Sequence, residues 1–191
     1  DSSTDKITFD LSGSKISVAD DSLEVYTISA YFNDNSINND LSDGTTIILS
    51  INASDFTTSG TTSTFASSQS DVNNGAGVAI DILATALFFT TQPSGSVSGS
   101  NLTIQPVVKA VDAFGNVDTD FAETITLTET SAGTLSGTSV VASSGVATFT
   151  ATNYTATSDQ ESFTITADDQ DGVGSDLPTV NASLITADVV A

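Results

Sequence analysis

In SFTITAD, residues 162–168, Phe163, Ile165 and Ala167 alternate with Thr164 and Thr166. Successive side chains of an extended chain point to opposite faces, so this period of two describes a half-buried strand with its apolar row inward and its threonines outward. The same period recurs at Ile7, Phe9 and Leu11, at Tyr26, Ile28, Ala30 and Phe32, and at Ile47, Leu49 and Ile51. It returns at Val78, Ile80 and Ile82, at Ile125 and Leu127 within ETITLTE, and at Ala147, Phe149 and Ala151. Clusters of glycine, asparagine, aspartate and serine separate these runs, and no window carries a helical stripe. The fold class expected is therefore all-β, built of antiparallel strands.

The order of the strands repeats along the chain. Sliding the first half onto the second by about 80 residues pairs Ile7 and Phe9 with Leu87 and Phe89, and a shift of about 78 pairs Asp34, Ile47 and Leu49 with Asp112, Ile125 and Leu127. The last five residues, ADVVA, match IDILA at 80–84, after which the chain runs directly into TALFF. A boundary at Ala84 and Thr85 follows, giving copies at 1–84 and 85–191, each of a size suited to a small sandwich. The first copy has no clear counterpart of ESFTITADDQDGVGSD. It is either a smaller sandwich or one whose sheet edge is completed by a strand from another chain.

Composition limits the partners. Asp and Glu number 24 against 3 Lys and Arg, with no histidine and no cysteine, for a net charge of -21. Such a surface repels phosphate backbones and anionic lipid, so neither nucleic acid nor a membrane surface is an expected partner. High ambient salt or bound divalent cations would offset the self-repulsion. The longest apolar run, GVAIDILATALFF, is broken by Asp81 and falls short of the roughly 20 residues of a spanning helix, so no membrane insertion is expected. The start, DSSTDKITFD, lacks the basic head and apolar stretch of a signal peptide, and a mature or excised segment is expected.

Five stretches in order, ALFFTTQPSG, IQPVVKAVDAFGNV, ITLT, GTLSGT and SGVATFTATNYT, resemble the bacterial immunoglobulin-like repeats of large surface proteins, the invasin and intimin type included. The resemblance covers the second copy well and the first only through its anchors. It implies two tandem immunoglobulin-like antiparallel β-sandwich domains in an extracellular, cell-surface setting, with DAFGN as a connection between two strands. The aspartate-rich end of the second copy, with its added strand, departs from that pattern.

Three acidic groups are candidate cation ligands, because calcium takes six to eight oxygens from carboxylates, amides and carbonyls. In AVDAFGNVDTD these are Asp112, Asn116, Asp118 and Asp120. The same residues serve a turn, with Gly115 allowing positive φ and an Asp or Asn side chain bonding its own backbone; the resemblance favours the turn. In DDQDGVGSD, Asp168, Asp169, Asp171 and Asp176 include a D-x-D-G arrangement but lack the spacing and closing glutamate of an EF-hand. This is the preferred calcium site. The third group is Asp34, Asp40 and Asp43, in the loop equivalent to the first.

Without histidine or cysteine, no Ser-His-Asp or Cys-His arrangement is available, and without tryptophan a sugar-stacking cleft has little material, so no enzyme is expected. Lys109 raises a self-modifying lysine–asparagine bond as a lesser reading. Sequons at Asn52, Asn101, Asn153 and Asn181 occur at a density that chance explains. The function expected is structural: a stalk, spacer or filament subunit of a surface protein or adhesin, stiffened by calcium, contacting adjacent repeats or neighbouring subunits. The alternative is a calcium-dependent module binding carbohydrate or another cell surface.

Overall fold

The computed structural model describes residues 42–51, 70–169 and 176–189. The chain forms two compact units, Asp1–Asn33 and Asp34–Ala191, and every described residue belongs to the second. The strands expected at 7–11 and 26–32 lie outside the described residues, as do Asp34, Asp40 and Asp171. The expected copy boundary at Ala84 falls inside the second unit.

Among the described residues all regular structure is strand. In chain order these are β1 (Thr46–Ile47), β2 (Ser50–Ile51), β3 (Val72–Asn73), β4 (Val78–Ala79), β5 (Ala86–Thr91), β6 (Ser96–Val97), β7 (Val107–Val111) and β8 (Thr124–Thr128). They continue as β9 (Thr134–Ser136), β10 (Ser139–Val141), β11 (Val146–Thr148), β12 (Asn153–Thr155), β13 (Glu161–Phe163), β14 (Thr166–Asp169), β15 (Val180–Asn181) and β16 (Ile185–Asp188). Two antiparallel sheets dominate, with orders β11-β7-β5 and β10-β8-β14-β15. Smaller ladders join β12 to β9, and β13 to β16, which also pairs in parallel with β6.

One core unites the two main sheets, an arrangement consistent with a β-sandwich. Leu87, Phe89, Val108, Ala110 and Ala147 enter it from the first sheet, and Ile125, Leu127 and Ala167 from the second. Phe149, Tyr154, Phe163 and Ile165 are fully or almost fully buried between them. Burying each large apolar side chain contributes about 1.5–3 kcal/mol, which makes the alternating row the main determinant of strand orientation.

The period of two holds through 161–169 although the strand changes partners there. Phe163, Ile165 and Ala167 all face inward, with β13 paired to β16 and β14 paired to β8 and β15. Opposite this stretch the partner carries one extra residue: Thr166 faces Asn181 and Phe163 faces Ile185, so three steps on one side meet four on the other. The bulge places Ser183 and Leu184 outward in succession and returns Ile185 to the core.

The expected alternation at Ala147, Phe149 and Ala151 breaks after Phe149. Thr150 and Ala151 are both exposed, and Thr152 and Tyr154 take the inward positions. The shift falls where the chain leaves its pairing with β7 and joins β9. The Gln105 side chain covers the gap: its amide oxygen accepts the Thr152 N–H at 2.8 Å, and its amide nitrogen donates to the carbonyls of Thr152 at 3.0 Å and Leu102 at 2.8 Å. In the first copy, Ile82 is buried, whereas Leu49 and Val78 are exposed, so only part of the expected alternation there faces inward.

Candidate functional site

The loop between β7 and β8 contains the first acidic group, and its carboxylates are occupied by the chain's own N–H groups. Asp112 Oδ1 accepts the backbone N–H of Phe114 and of Asn116, each at 2.9 Å, while Oδ2 accepts Asn116 Nδ2 at 2.9 Å. The Asp112 N–H donates to the Asn116 carbonyl at 3.0 Å and Gly115 N–H donates back to the Asp112 carbonyl at 3.2 Å. Gly115 takes φ +88°, a left-handed conformation that an L side chain resists, which is why glycine stands at this corner. Burial opposes ionisation of Asp112, yet the hydrogen bonds from the Asn116 amide and from the backbone of Phe114, Asn116 and Gly115 outweigh it and hold the carboxyl below its usual value.

Asp118 ties the loop to the segment before β5. It is 6 % exposed; Oδ2 accepts the Ala84 N–H at 2.9 Å, and Oδ1 accepts the N–H of Asp120 at 3.0 Å and of Phe121 at 2.9 Å. Asp120 itself is exposed. Asp43 makes the reciprocal link: Oδ1 accepts from Gly44 N–H at 2.9 Å and Ile82 N–H at 3.0 Å, while Oδ2 accepts the Thr119 N–H at 2.9 Å and its hydroxyl at 2.6 Å. Together Asp43 and Asp118 form a two-carboxylate clamp across 42–44, 82–84 and 118–121.

The Thr119 hydroxyl, with the N–H groups of Ile82, Thr119 and Gly44, lowers the Asp43 carboxyl from 3.8 to about 2. A carboxyl whose pKa is depressed by folding contributes stability that is complete above the unfolded value and is lost as pH falls through the folded one. The bonds that Asp43 accepts are therefore expected to hold above about pH 4 and to open between about pH 4 and 2. Amide exchange at Ile82 and Thr119 measures it: protection that stays constant down through pH 2, or that is unchanged in Asp43→Asn, contradicts the assignment.

The second group is assembled differently. Asp169 continues the inward row of Phe163, Ile165 and Ala167 to the end of β14, where it is 3 % exposed and both its oxygens lie within reach of the Leu177 N–H, at 3.2 and 3.3 Å. Oxygens of Asp168, half-buried, and Asp176, exposed, lie within 4.8 Å of those of Asp169 and of each other. Among the described residues this is the group of three acids close enough to share a cation. Asp168 pairs across the sheet with Thr126, whose Oγ1 is buried without a hydrogen-bond partner, so an unsatisfied oxygen stands on the ladder position beside the acids. Three carboxylates supply hard oxygen donors of the kind calcium takes, and further oxygens would be needed to reach six.

Neither the loop acids nor this cluster exhausts the carboxylate chemistry. Tyr154 is fully buried, with its ring stacked on Phe163 at a 3.8 Å centroid distance and 12°. Its phenol oxygen lies 2.5 Å from Ser131 Oγ, which in turn bonds Glu129. Burial, then the neighbouring Glu161 and Glu129, push the phenol above its ordinary value despite the Ser131 contact. Glu161 accepts the Thr157 N–H at 2.6 Å and the Ala132 N–H at 3.1 Å, so this network pins the 129–133 loop to the start of β13. A single tyrosine in a serine-rich chain gives no sequence signal for it.

Lys109 lies on the outward face of β7, half-buried and opposite Phe88 and Val146, while Val108 and Ala110 face the core. Asn153 accepts the Ser136 hydroxyl at 2.9 Å and Asn181 accepts the Thr166 hydroxyl at 2.7 Å, so both sequon amides are engaged in cross-strand pairs. Asn101 is exposed, and Asn52 lies outside the described residues. Neither a protein-family model nor a curated protein matches the chain.

Proposed function

We propose that the chain is an extracellular structural repeat segment: a stalk, spacer or filament subunit of a cell-surface protein or adhesin, stiffened by calcium. The observation that carries this reading is the Asp43–Asp118 clamp, which spends two carboxylates on fixing the backbone around Ala84 instead of presenting them to a ligand. A short junction held by buried or multiply bonded carboxylates resists bending, which suits a load-bearing spacer. The all-β core between Ala84 and Ala187 supports a sandwich in the second copy, and the resemblance to bacterial immunoglobulin-like repeats extends the reading to two tandem immunoglobulin-like sandwiches, at 1–84 and 85–191.

Calcium would be held by Asp168, Asp169 and Asp176, with Asp171 adjacent in sequence, and would offset part of the net charge of -21. The oxygens of Asp112 and Asp118 are already occupied by N–H donors, which makes that loop the poorer site. The same cluster supports a second reading, a calcium-dependent module for carbohydrate or another cell surface.

Thermal unfolding of the full chain at one fixed ionic strength, with calcium and with chelator, tests the metal. Saturation well above Kd should raise Tm by several degrees, since a ligand at about 100 times Kd stabilises by about 2.7 kcal/mol. An unchanged Tm removes calcium from the proposal. Retention on immobilised glycans that chelator abolishes would favour the binding module over the spacer.

A further inference from the structure

The ladder that joins 42–51 to 70–79 is unequal in length on its two sides. Ile47 pairs with Val78 and Ser50 with Asn73, so two residues, Ile48 and Leu49, stand opposite four, residues 74–77. Asn74 spans this mismatch with its side chain as well as its backbone. Its N–H donates to the Leu49 carbonyl at 3.1 Å, its Oδ1 accepts the Leu49 N–H at 3.1 Å, and its Nδ2 reaches the Ile47 carbonyl at 3.4 Å. The primary amide thus substitutes for a missing peptide group, offering one acceptor and one donor to the facing strand.

The residue that follows is Gly75, at φ +69°, exposed and with open space where a side chain would stand. Its N–H points to Asn73 Oδ1 at 2.9 Å and takes no part in the ladder. An asparagine whose successor has no Cβ leaves that successor's backbone nitrogen unhindered. The other Asx–Gly pair among the described residues, Asp43–Gly44, differs in both respects: its carboxylate is held by Gly44, Ile82 and Thr119, and hydroxide leaves a carboxyl group less readily than ammonia leaves an amide.

We propose that Asn74–Gly75 is a spontaneous modification site, at which the amide bridging the ladder is converted to a carboxylate. Gly75 N attacks Asn74 Cγ; the N–C bond forms, the Cγ–Nδ2 bond breaks, and ammonia departs carrying the former Gly75 amide proton. Water then opens the five-membered imide at either carbonyl, giving an aspartyl or an isoaspartyl link, for a net exchange of one ammonia for one water. The product has no Nδ2 donor and sets a carboxylate oxygen against the Ile47 carbonyl. The isoaspartyl form also adds a methylene to the main chain of the strand that already carries the extra residues. Both outcomes open the ladder at Leu49.

The test ages the intact chain at mildly alkaline pH and maps its peptides by mass. The expected result is a gain of about 1 Da confined to the peptide containing Asn74, present as two separable isomers, with hydroxylamine trapping the imide. Amide protection at Leu49 should fall in step with conversion, and Asn74→Asp should show that loss from the outset. Asn74 remaining intact while an unstructured peptide of residues 70–80 converts fully would overturn the proposal. So would conversion that leaves Leu49 protection unchanged.

Discussion

Asp118→Ala should lower the unfolding free energy by about 2–4 kcal/mol, because it removes a carboxylate that accepts three backbone N–H groups and leaves the Ala84 donor buried without a partner. In a chain of this length that is a fall in Tm on the order of 10 °C. Asp118→Asn keeps the shape and one acceptor oxygen, yet turns an amide nitrogen toward at least one N–H, so roughly half the loss should remain. Urea denaturation reads the difference, with the midpoint moving and the slope constant if two-state behaviour holds. Equal stability of Asp118→Ala and the parent would mean that water replaces the carboxylate without cost, and the clamp would lose its structural role. A metal ligand predicts something else, namely a loss that calcium concentration modulates.

The second large effect lies at the corner between β9 and β10. Gly137 has φ +67°, and a Cβ there would overlap the Ala151 carbonyl and crowd the Thr152 nitrogen. That backbone cannot move aside easily, since Thr152 N–H is held by Gln105 and the Thr152 hydroxyl donates to the Gly137 carbonyl at 2.9 Å. Gly137→Ala should therefore cost about 2–5 kcal/mol, combining left-handed strain with overpacking. Gly99 has a similar φ of +78° and open space around the Cβ position, so Gly99→Ala isolates the strain alone, about 1 kcal/mol. If the two substitutions cost the same, the close approach of the 150–152 segment to Gly137 is not a constraint.

That segment also marks where sequence reading fails. The rows Ile125 and Leu127, and Phe163, Ile165 and Ala167, were legible because each alternates without interruption and each faces the core. Ala151 faces outward although the sequence continues its alternating pattern there, because the chain changes sheets at this point. A bend at 150–151 shifts the phase by one residue, and the Thr152 N–H that results is held by Gln105, more than 40 residues away in the chain. The bulge at Ser183 and Leu184 is hidden for the same reason, since register is a property of two strands and neither strand states it alone.

The acidic groups divide along the same line. Their composition, spacing and turn chemistry can be read directly, and AVDAFGNVDTD is the strand connection its glycine and asparagine imply. Which carboxylates remain available for a cation cannot be read that way. Asp118 and Asp169 are both buried aspartates, yet the first receives three N–H donors from two segments, whereas the second, among the described residues, is approached by the Leu177 N–H, near Asp168 and Asp176. The sequence by itself determined the all-β class, the inward rows at 125–127 and 163–167 and the excess of negative charge, because side-chain alternation and charge are local quantities. Only the tertiary structure decided which aspartates fasten the backbone and which converge, because a carboxylate's free lone pairs depend on the N–H groups that distant segments bring to it.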